Sequence, residues 1–291
     1  MPITEFLSYL ERERRYSQHT LLAYRNDLNS LKEFLEDKYD EVEFKKVTSE
    51  MLRSWVIDLM EKQHSSRTVN RKISTLKSFY QYLKKKGQIK VLPTSKITSP
   101  KVEKPLPSFL KVKETDNLFE QIEFGNDFSG FRDKIMLEIF YATGIRLSEL
   151  IQLKNESFDR GTNTLKVLGK RNKERIIPIS NSLAKSLVEY LSEKQSLYSE
   201  PFIFLTDSGK KLYPKFVYRK VNSYLSMVSS LQKKSPHILR HTFATHMLNN
   251  GADLNTIKEF LGHANLSATE VYTHNSIEKL KNIYKQAHPR A

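Results

Sequence analysis

VLPTSKITSPKVEKPLPSFL, Val91 to Leu110, divides this chain. Pro93, Pro100, Pro105 and Pro107 forbid a continuous helix here, because proline lacks the backbone donor and clashes with the preceding turn. Its lysines keep the stretch in water. Residues 91–108 are therefore expected to be an interdomain linker, and about 18 residues would let two domains sit on opposite sides of a rod-shaped ligand.

Before the linker, residues 1–90 read as helices. Thr4 is expected to cap a first helix with Phe6, Leu7 and Leu10 on one face. Thr20 is expected to cap a second, with Leu21, Tyr24, Leu28, Leu31 and Leu35 at helical spacing. Thr48 precedes a third, MLRSWVIDLMEK. In the fourth, SRTVNRKISTLKSFYQYLKKKG, the residues Val69, Ile73, Leu76, Tyr80 and Leu83 form an apolar stripe and Gly87 is the stop. Arg67, Arg71, Lys72 and Lys77 lie off that stripe, either as a solvated basic face or as a face laid against phosphates.

After the linker the pattern is mixed. FRDKIMLEIFYATG reads as a helix stopped by Gly144, and RLSELIQL as another. TLKVLGKRNKERIIPIS reads as a hairpin, with Leu165 and Val167 on one arm, Ile177 and Ile179 on the other, and a basic tip. Helices are expected at SLAKSLVEYLSEK, KFVYRKVNSYLSMVSSL, HILRHTFATHMLNNG, LNTIKEFLG and SIEKLKNIYKQAH. The expected fold class is mostly α with a small β-sheet in the C-terminal domain.

The 291 residues carry a formal net charge of +15. A surplus of that size points to a polyanion, nucleic acid before an anionic membrane. No lipidation motif or basic amphipathic membrane helix stands out, no apolar run is long enough to span a bilayer, and the charged N-terminus does not resemble a signal peptide. The chain has no cysteine, which removes disulfides, thiolate nucleophiles and cysteine zinc sites and suits a reducing cytoplasm.

To cut a phosphodiester without metal, a protein must answer the charge that builds on the phosphoryl oxygens. Arginine does so best, with a planar fork for two oxygens. One preorganised donor supplies roughly 3–4 kcal/mol, against a barrier reduction on the order of 8–23 kcal/mol, so several donors must converge. Arg146 follows ATGI at a helix junction, as an anion ligand or as a surface partner of Glu149. HILRHTF puts His237 and Arg240 on one helix face. His263 and Tyr272 follow in LGHANLSATEVYTH. His237 and His241 have metal-ligand spacing, but the zinc-protease form needs a glutamate where Ile238 stands.

Together these motifs resemble the tyrosine recombinase (phage integrase) family, in particular its Xer-type bacterial members. ATGIRLSEL, HILRHTFATHMLNNGADL and LGHANLSATEVYTH match its arginine, HxLR and His-to-Tyr boxes. VLGKRNKERIIPI is similar to its lysine hairpin, and FLSYLERERRYSQHTLLAYRNDL to the start of its core-binding domain. The resemblance spans essentially the whole chain. It implies an N-terminal helical, SAM-like core-binding domain over 1–90 and a catalytic domain over 109–291, with a helix near 276–287 that docks either on its own domain or on a neighbouring protomer.

The resemblance also implies roles. Tyr272 would be the nucleophile that forms a 3′-phosphotyrosyl link. Arg146 and Arg240 would clamp the phosphate, Lys170 would protonate the leaving 5′-oxygen, His237 would move a proton and His263 would bind the phosphate. Apart from the resemblance, the charge of the chain makes Arg67, Arg71, Lys72 and Lys77 on the fourth helix the candidate DNA-binding residues. Arg171 replaces a common glycine, which makes Lys173 a rival of Lys170, and Ala268 replaces a common serine or threonine. No cofactor and no metal are implied. The implied partners are a duplex recombination site, a homo- or hetero-tetramer with a related recombinase, and a DNA-translocase activator. The implied task is chromosome dimer resolution; integration for a mobile element and a non-catalytic DNA-binding regulator are the alternatives.

Overall fold

The computed structural model describes residues 2–40, 43–102, 108–169, 173–262 and 274–291. The chain forms two compact units, Met1–Pro105 and Leu106–Ala291.

Among its described residues the first unit has four helices: α1 (Pro2–Arg12), α2 (Gln18–Tyr39), α3 (Ser49–Glu61) and α4 (Ser66–Lys85). Phe6, Leu28, Leu31, Trp55, Leu76 and Phe79 are buried at its centre. Phe79 meets Phe6 and Phe44 edge-on, with ring centroids 5.3 and 5.1 Å apart, the favoured aromatic geometry. Two expected caps move. Thr4 lies inside α1. Ser17, extended at φ −68° and ψ 153°, caps α2 by accepting from the Thr20 amide; both hydroxyls are competent, and the one just before the first helical residue takes the role. Thr48 caps α3 as expected, accepting from Met51.

The basic residues of α4 do not share one environment. At 3.6 residues per turn Lys72 sits roughly 140° around the helix from Arg67, on the side of Val69, Ile73 and Leu76. It is buried, with its ammonium 3.5 Å from Asp27 and over the Trp55 ring. Asp27 is itself buried and also accepts from Thr75 at 2.8 Å and from Arg71. Lys72 thus ties α2 to α4 from inside. This corrects the expectation that Lys72 lies on a DNA-facing side; Arg67, Arg71 and Lys77 are exposed.

Much of the linker belongs to this unit. Thr94 and Ile97 are buried. The Pro93 and Pro100 carbonyls accept from Ser49 and Asn70 at 2.8 and 2.9 Å. A proline's carbonyl remains an acceptor although its nitrogen cannot donate.

The second unit contains α5 (Val112–Glu120), α6 (Phe128–Thr143), α7 (Leu147–Gln152), β1 (Phe158–Asp159), β2 (Thr164–Leu168), β3 (Glu174–Pro178), α8 (Asn181–Leu197), α9 (Pro214–Val228), α10 (Pro236–Asn249), α11 (Leu254–Leu261) and α12 (His274–Ala287). The strands form an antiparallel sheet in the order β1-β2-β3, with Leu165 opposite Ile177 and Val167 opposite Arg175. Neither α5 nor β1 is foreseen from the sequence. Helix α6 is buried on several sides: Ile135, Met136, Leu137, Ile139 and Phe140 are all in the core, as expected of a helix enclosed by its neighbours. Arg132, fully buried on α6, bonds Asp133 at 2.7 Å, and Asp133 accepts from Lys220 and Tyr224 of α9. Helix α12 packs on its own unit. Leu280, Tyr284 and Ala287 are buried in the same core as α6 and α10, and Asn250 donates to the Ala287 carbonyl at 2.8 Å.

Candidate active site

The site grows from the end of α6. Gly144 turns the chain at φ 59°, a left-handed conformation that glycine adopts without a Cβ penalty. A Cβ here would fall 2.5 Å from Phe243 of α10 and 2.8 Å from Leu261 of α11. The close approach brings the ends of α6 and α11 against α10.

Arg146 follows as the N-cap residue of α7. Its amide donates to Glu149 Oε2 at 2.8 Å, and its guanidinium donates to Glu149 Oε1 at 2.7 Å and to the Gly262 carbonyl at 3.2 Å. Of the two readings of Arg146, the pairing with Glu149 is the one observed. It pairs with Glu149, but Glu149 is buried and the Arg146 side chain is 33% exposed, so the guanidinium reaches solvent from an anchored base. Arg240 sits on α10, three residues after His237, and donates to the carbonyls of Gly144 at 2.6 Å and Leu261 at 2.7 Å. His237 and His241 are exposed on the same helix.

A third guanidinium joins them. Arg175 of β3 donates to both oxygens of Glu149 at 3.0 and 2.8 Å and, through Nε, to the Phe260 carbonyl at 2.8 Å. It is buried. Sequence reading passes over Arg175 and treats Glu149 as a surface partner. The signal was present: Arg175, Ile177 and Ile179 alternate, which puts the arginine on the inward face of the strand. An inward arginine must find acceptors inside, and a buried carboxylate is the strongest of them.

Electrostatics follow from this crowding. Burial pushes the Arg240 guanidinium down to about 10, and the charge of Arg146 adds to the effect. It stays protonated at neutral pH, but at a cost that an arriving anion would relieve. Burial alone would raise the Glu149 carboxyl; the hydrogen bonds and charge of Arg175, with help from Arg146, overcome it and hold the group at about 2. Because that value lies below the ordinary 4.5, Glu149 contributes stability above pH 4.5 that is lost as pH falls towards 2. The contribution is on the order of 3 kcal/mol. Urea unfolding between those limits should show a steeper pH dependence for wild type than for Glu149→Gln; equal slopes would refute the assignment. Although His237 is exposed overall, partial desolvation of its ring also lowers it, followed by the charges of Arg240, His241 and Arg146, which favours a neutral imidazole that can accept a proton.

Arg146, His237 and Arg240 thus lie on one junction of the second unit. Lys170, His263 and Tyr272 fall outside the described residues. Lys173, exposed, closes the hairpin through its carbonyl, which accepts from the Gly169 amide at 2.8 Å.

The phage integrase family model matches residues 108–279, and the phage integrase N-terminal SAM-like domain matches residues 3–87. The chain belongs to the phage integrase family. The site just described lies inside the matched catalytic region. Among curated members of this family, the chain is 38% identical to the tyrosine recombinase XerC of Chlorobaculum parvum, over 98% of this chain and 94% of that protein. It is 39% identical to XerC of Thermodesulfovibrio yellowstonii, over 99% of this chain and 96% of that one. Its fold is that of the XerH recombinase solved with palindromic difH DNA in a post-cleavage complex, with a TM-score of 0.72 at 21% identity over 99% of this chain and 82% of that one. The helical first unit and the mostly helical second unit with its small sheet agree with the family expected from the motifs.

Proposed function

We propose that this chain is a site-specific tyrosine recombinase that cuts and rejoins duplex DNA through a 3′-phosphotyrosyl intermediate. The carrying observation is the gathering of Arg146, Arg175 and Arg240, from α7, β3 and α10, around the end of α11, with Glu149 the carboxylate set against them. Such a surplus of buried and half-buried positive charge suits a phosphate better than it suits the folded chain alone.

In the reaction the Tyr272 hydroxyl oxygen forms a bond to phosphorus as the bond from phosphorus to the 5′-oxygen breaks. His237 takes the phenolic proton and Lys170 supplies one to the departing 5′-oxygen. Arg146, Arg240 and His263 hold the non-bridging oxygens. A phenol near pKa 10 is a far better leaving group than an alcohol. The returning 5′-hydroxyl therefore displaces Tyr272 with no external energy source. Exposed Arg67, Arg71 and Lys77 on α4 would meet the DNA backbone.

The test is a nicked duplex that loses its 5′-hydroxyl fragment after cleavage. Wild type should accumulate a protein–DNA complex that survives denaturation; its absence on the native site would contradict the reading. The assay also tests His237. Its lowered value keeps it neutral at neutral pH, so the second-order rate of covalent trapping, which like kcat/KM reports the free enzyme, should fall on the acid side of 6.5. Loss of that acid limb in His237→Ala is the expected result; an unchanged limb would move the proton transfer elsewhere.

The task we assign is chromosome dimer resolution in the cytoplasm. Its support is the XerC name carried by relatives 38–39% identical over nearly the whole chain. The working form would be a tetramer on two duplex sites, with itself or a related recombinase, under a DNA-translocase activator. Mapping the bound site to one chromosomal locus, and not to the ends of a mobile element, is the result that supports this over integration. Among the described residues no helix is long and apolar enough to cross a membrane.

A further inference from the structure

Three consecutive carbonyls at the end of α11 each accept from a different arginine. Phe260 accepts from Arg175 Nε at 2.8 Å, Leu261 from Arg240 at 2.7 Å, and Gly262 from Arg146 at 3.2 Å. The last carbonyls of a helix lack intrahelical donors and carry its partial negative charge, so this end is a natural seat for cations.

The three arginines are not equivalent. Arg146 is 33% exposed along its side chain, whereas Arg175 is 5% exposed and is spent on protein acceptors. Its Nε holds α11, and its two terminal nitrogens hold the two oxygens of Glu149. Those same oxygens bind the amide and guanidinium of Arg146. Gly262 fits against this clamp, since a Cβ there would lie 3.1 Å from Arg175 Nη1.

We propose that Arg175 is a positioning residue: by locking Glu149 against the end of α11 it sets the guanidinium of Arg146 for the scissile phosphate, without touching DNA itself. The inference rests on the recombinase reading, through the role given to Arg146. Without Arg175 the Glu149 carboxylate is left with Arg146 as its partner. It then competes with the phosphate for that guanidinium. Lysine cannot substitute, because one ammonium cannot serve the carbonyl and both carboxylate oxygens in the planar arrangement of the fork.

The experiment compares single-turnover cleavage of two nicked duplexes by the full chain. One carries an ordinary scissile phosphate. The other carries a neutral methylphosphonate, which needs less cationic compensation. Arg175→Ala should slow cleavage of the phosphate by up to roughly 100-fold, as a small misplacement of a catalytic group does, with DNA affinity retained. Cleavage of the methylphosphonate should slow much less. Should Arg175→Ala fail to fold, Arg175→Lys carries the same comparison. Equal slowing on both duplexes would mean a merely structural role, and cleavage at the wild-type rate would mean none; either overturns the proposal. If wild type itself never becomes attached to the ordinary duplex, the recombinase reading fails, and that outcome is recognised before any variant is compared.

Discussion

Tyr272→Phe is expected to abolish the covalent protein–DNA complex while leaving DNA binding intact. Removing one oxygen deletes the nucleophile and adds no charge or bulk. The arginines at the α6–α10–α11 junction do not depend on it for their anchors, because Arg146 and Arg240 hold the carbonyls of Gly262, Gly144 and Leu261 and the carboxylate of Glu149. Binding of the duplex should therefore survive, with the steep salt dependence that counterion release imposes. The loss has no graded form: without an oxygen to bond phosphorus there is no phosphotyrosine. Gel shift and denaturing gel on the same nicked duplex check both halves. Residual covalent product from Tyr272→Phe would assign the nucleophile to another residue.

Arg240→Ala is expected to slow cleavage by roughly 10²–10³, the usual effect of removing one preorganised donor to a developing oxyanion. Its bonds to the Gly144 and Leu261 carbonyls hold the guanidinium between the ends of α6 and α11, so little reorganisation is needed when charge develops. Stability should respond far less. The protein holds this charge against burial and against Arg146, which is why it is pushed down to about 10; deleting it relieves that strain while two carbonyls lose a donor. A single-turnover rate and a urea unfolding curve measure the two effects. Arg240→Lys should recover little, because an ammonium lacks the fork. A variant that loses stability and activity in parallel would show that Arg240 only holds the junction together.

These expectations bear on what a linear sequence discloses. HILRHTF places His237 and Arg240 by helix geometry alone, and ATGIR ends a helix at Gly144 for a reason visible in the residue type. The hairpin's alternation is equally plain, and it even locates Arg175 on the inner face. Identifying the partner of Arg175 is a different matter. Glu149 lies 26 positions away and the Phe260 carbonyl 85, and no local period links β3 to α7 and α11. Lys72 misleads for a related reason. A lysine beside Arg71 looks like part of a basic face, but the neighbour on a helix is turned by about 100°, and the Asp27 that receives it belongs to α2. Chain segments with little burial of their own, such as two-residue β1, exist because a partner strand pairs with them. Local chemistry was legible; the tertiary partners that anchor it were not.

The most direct measurement is to digest the trapped complex and find, by mass spectrometry, which residue carries the DNA and through which end. The expected product is a nucleotide joined by its 3′-phosphate to the oxygen of Tyr272, with a free 5′-hydroxyl on the released strand. DNA attached to any other residue, or attached through a 5′-phosphate, would contradict it.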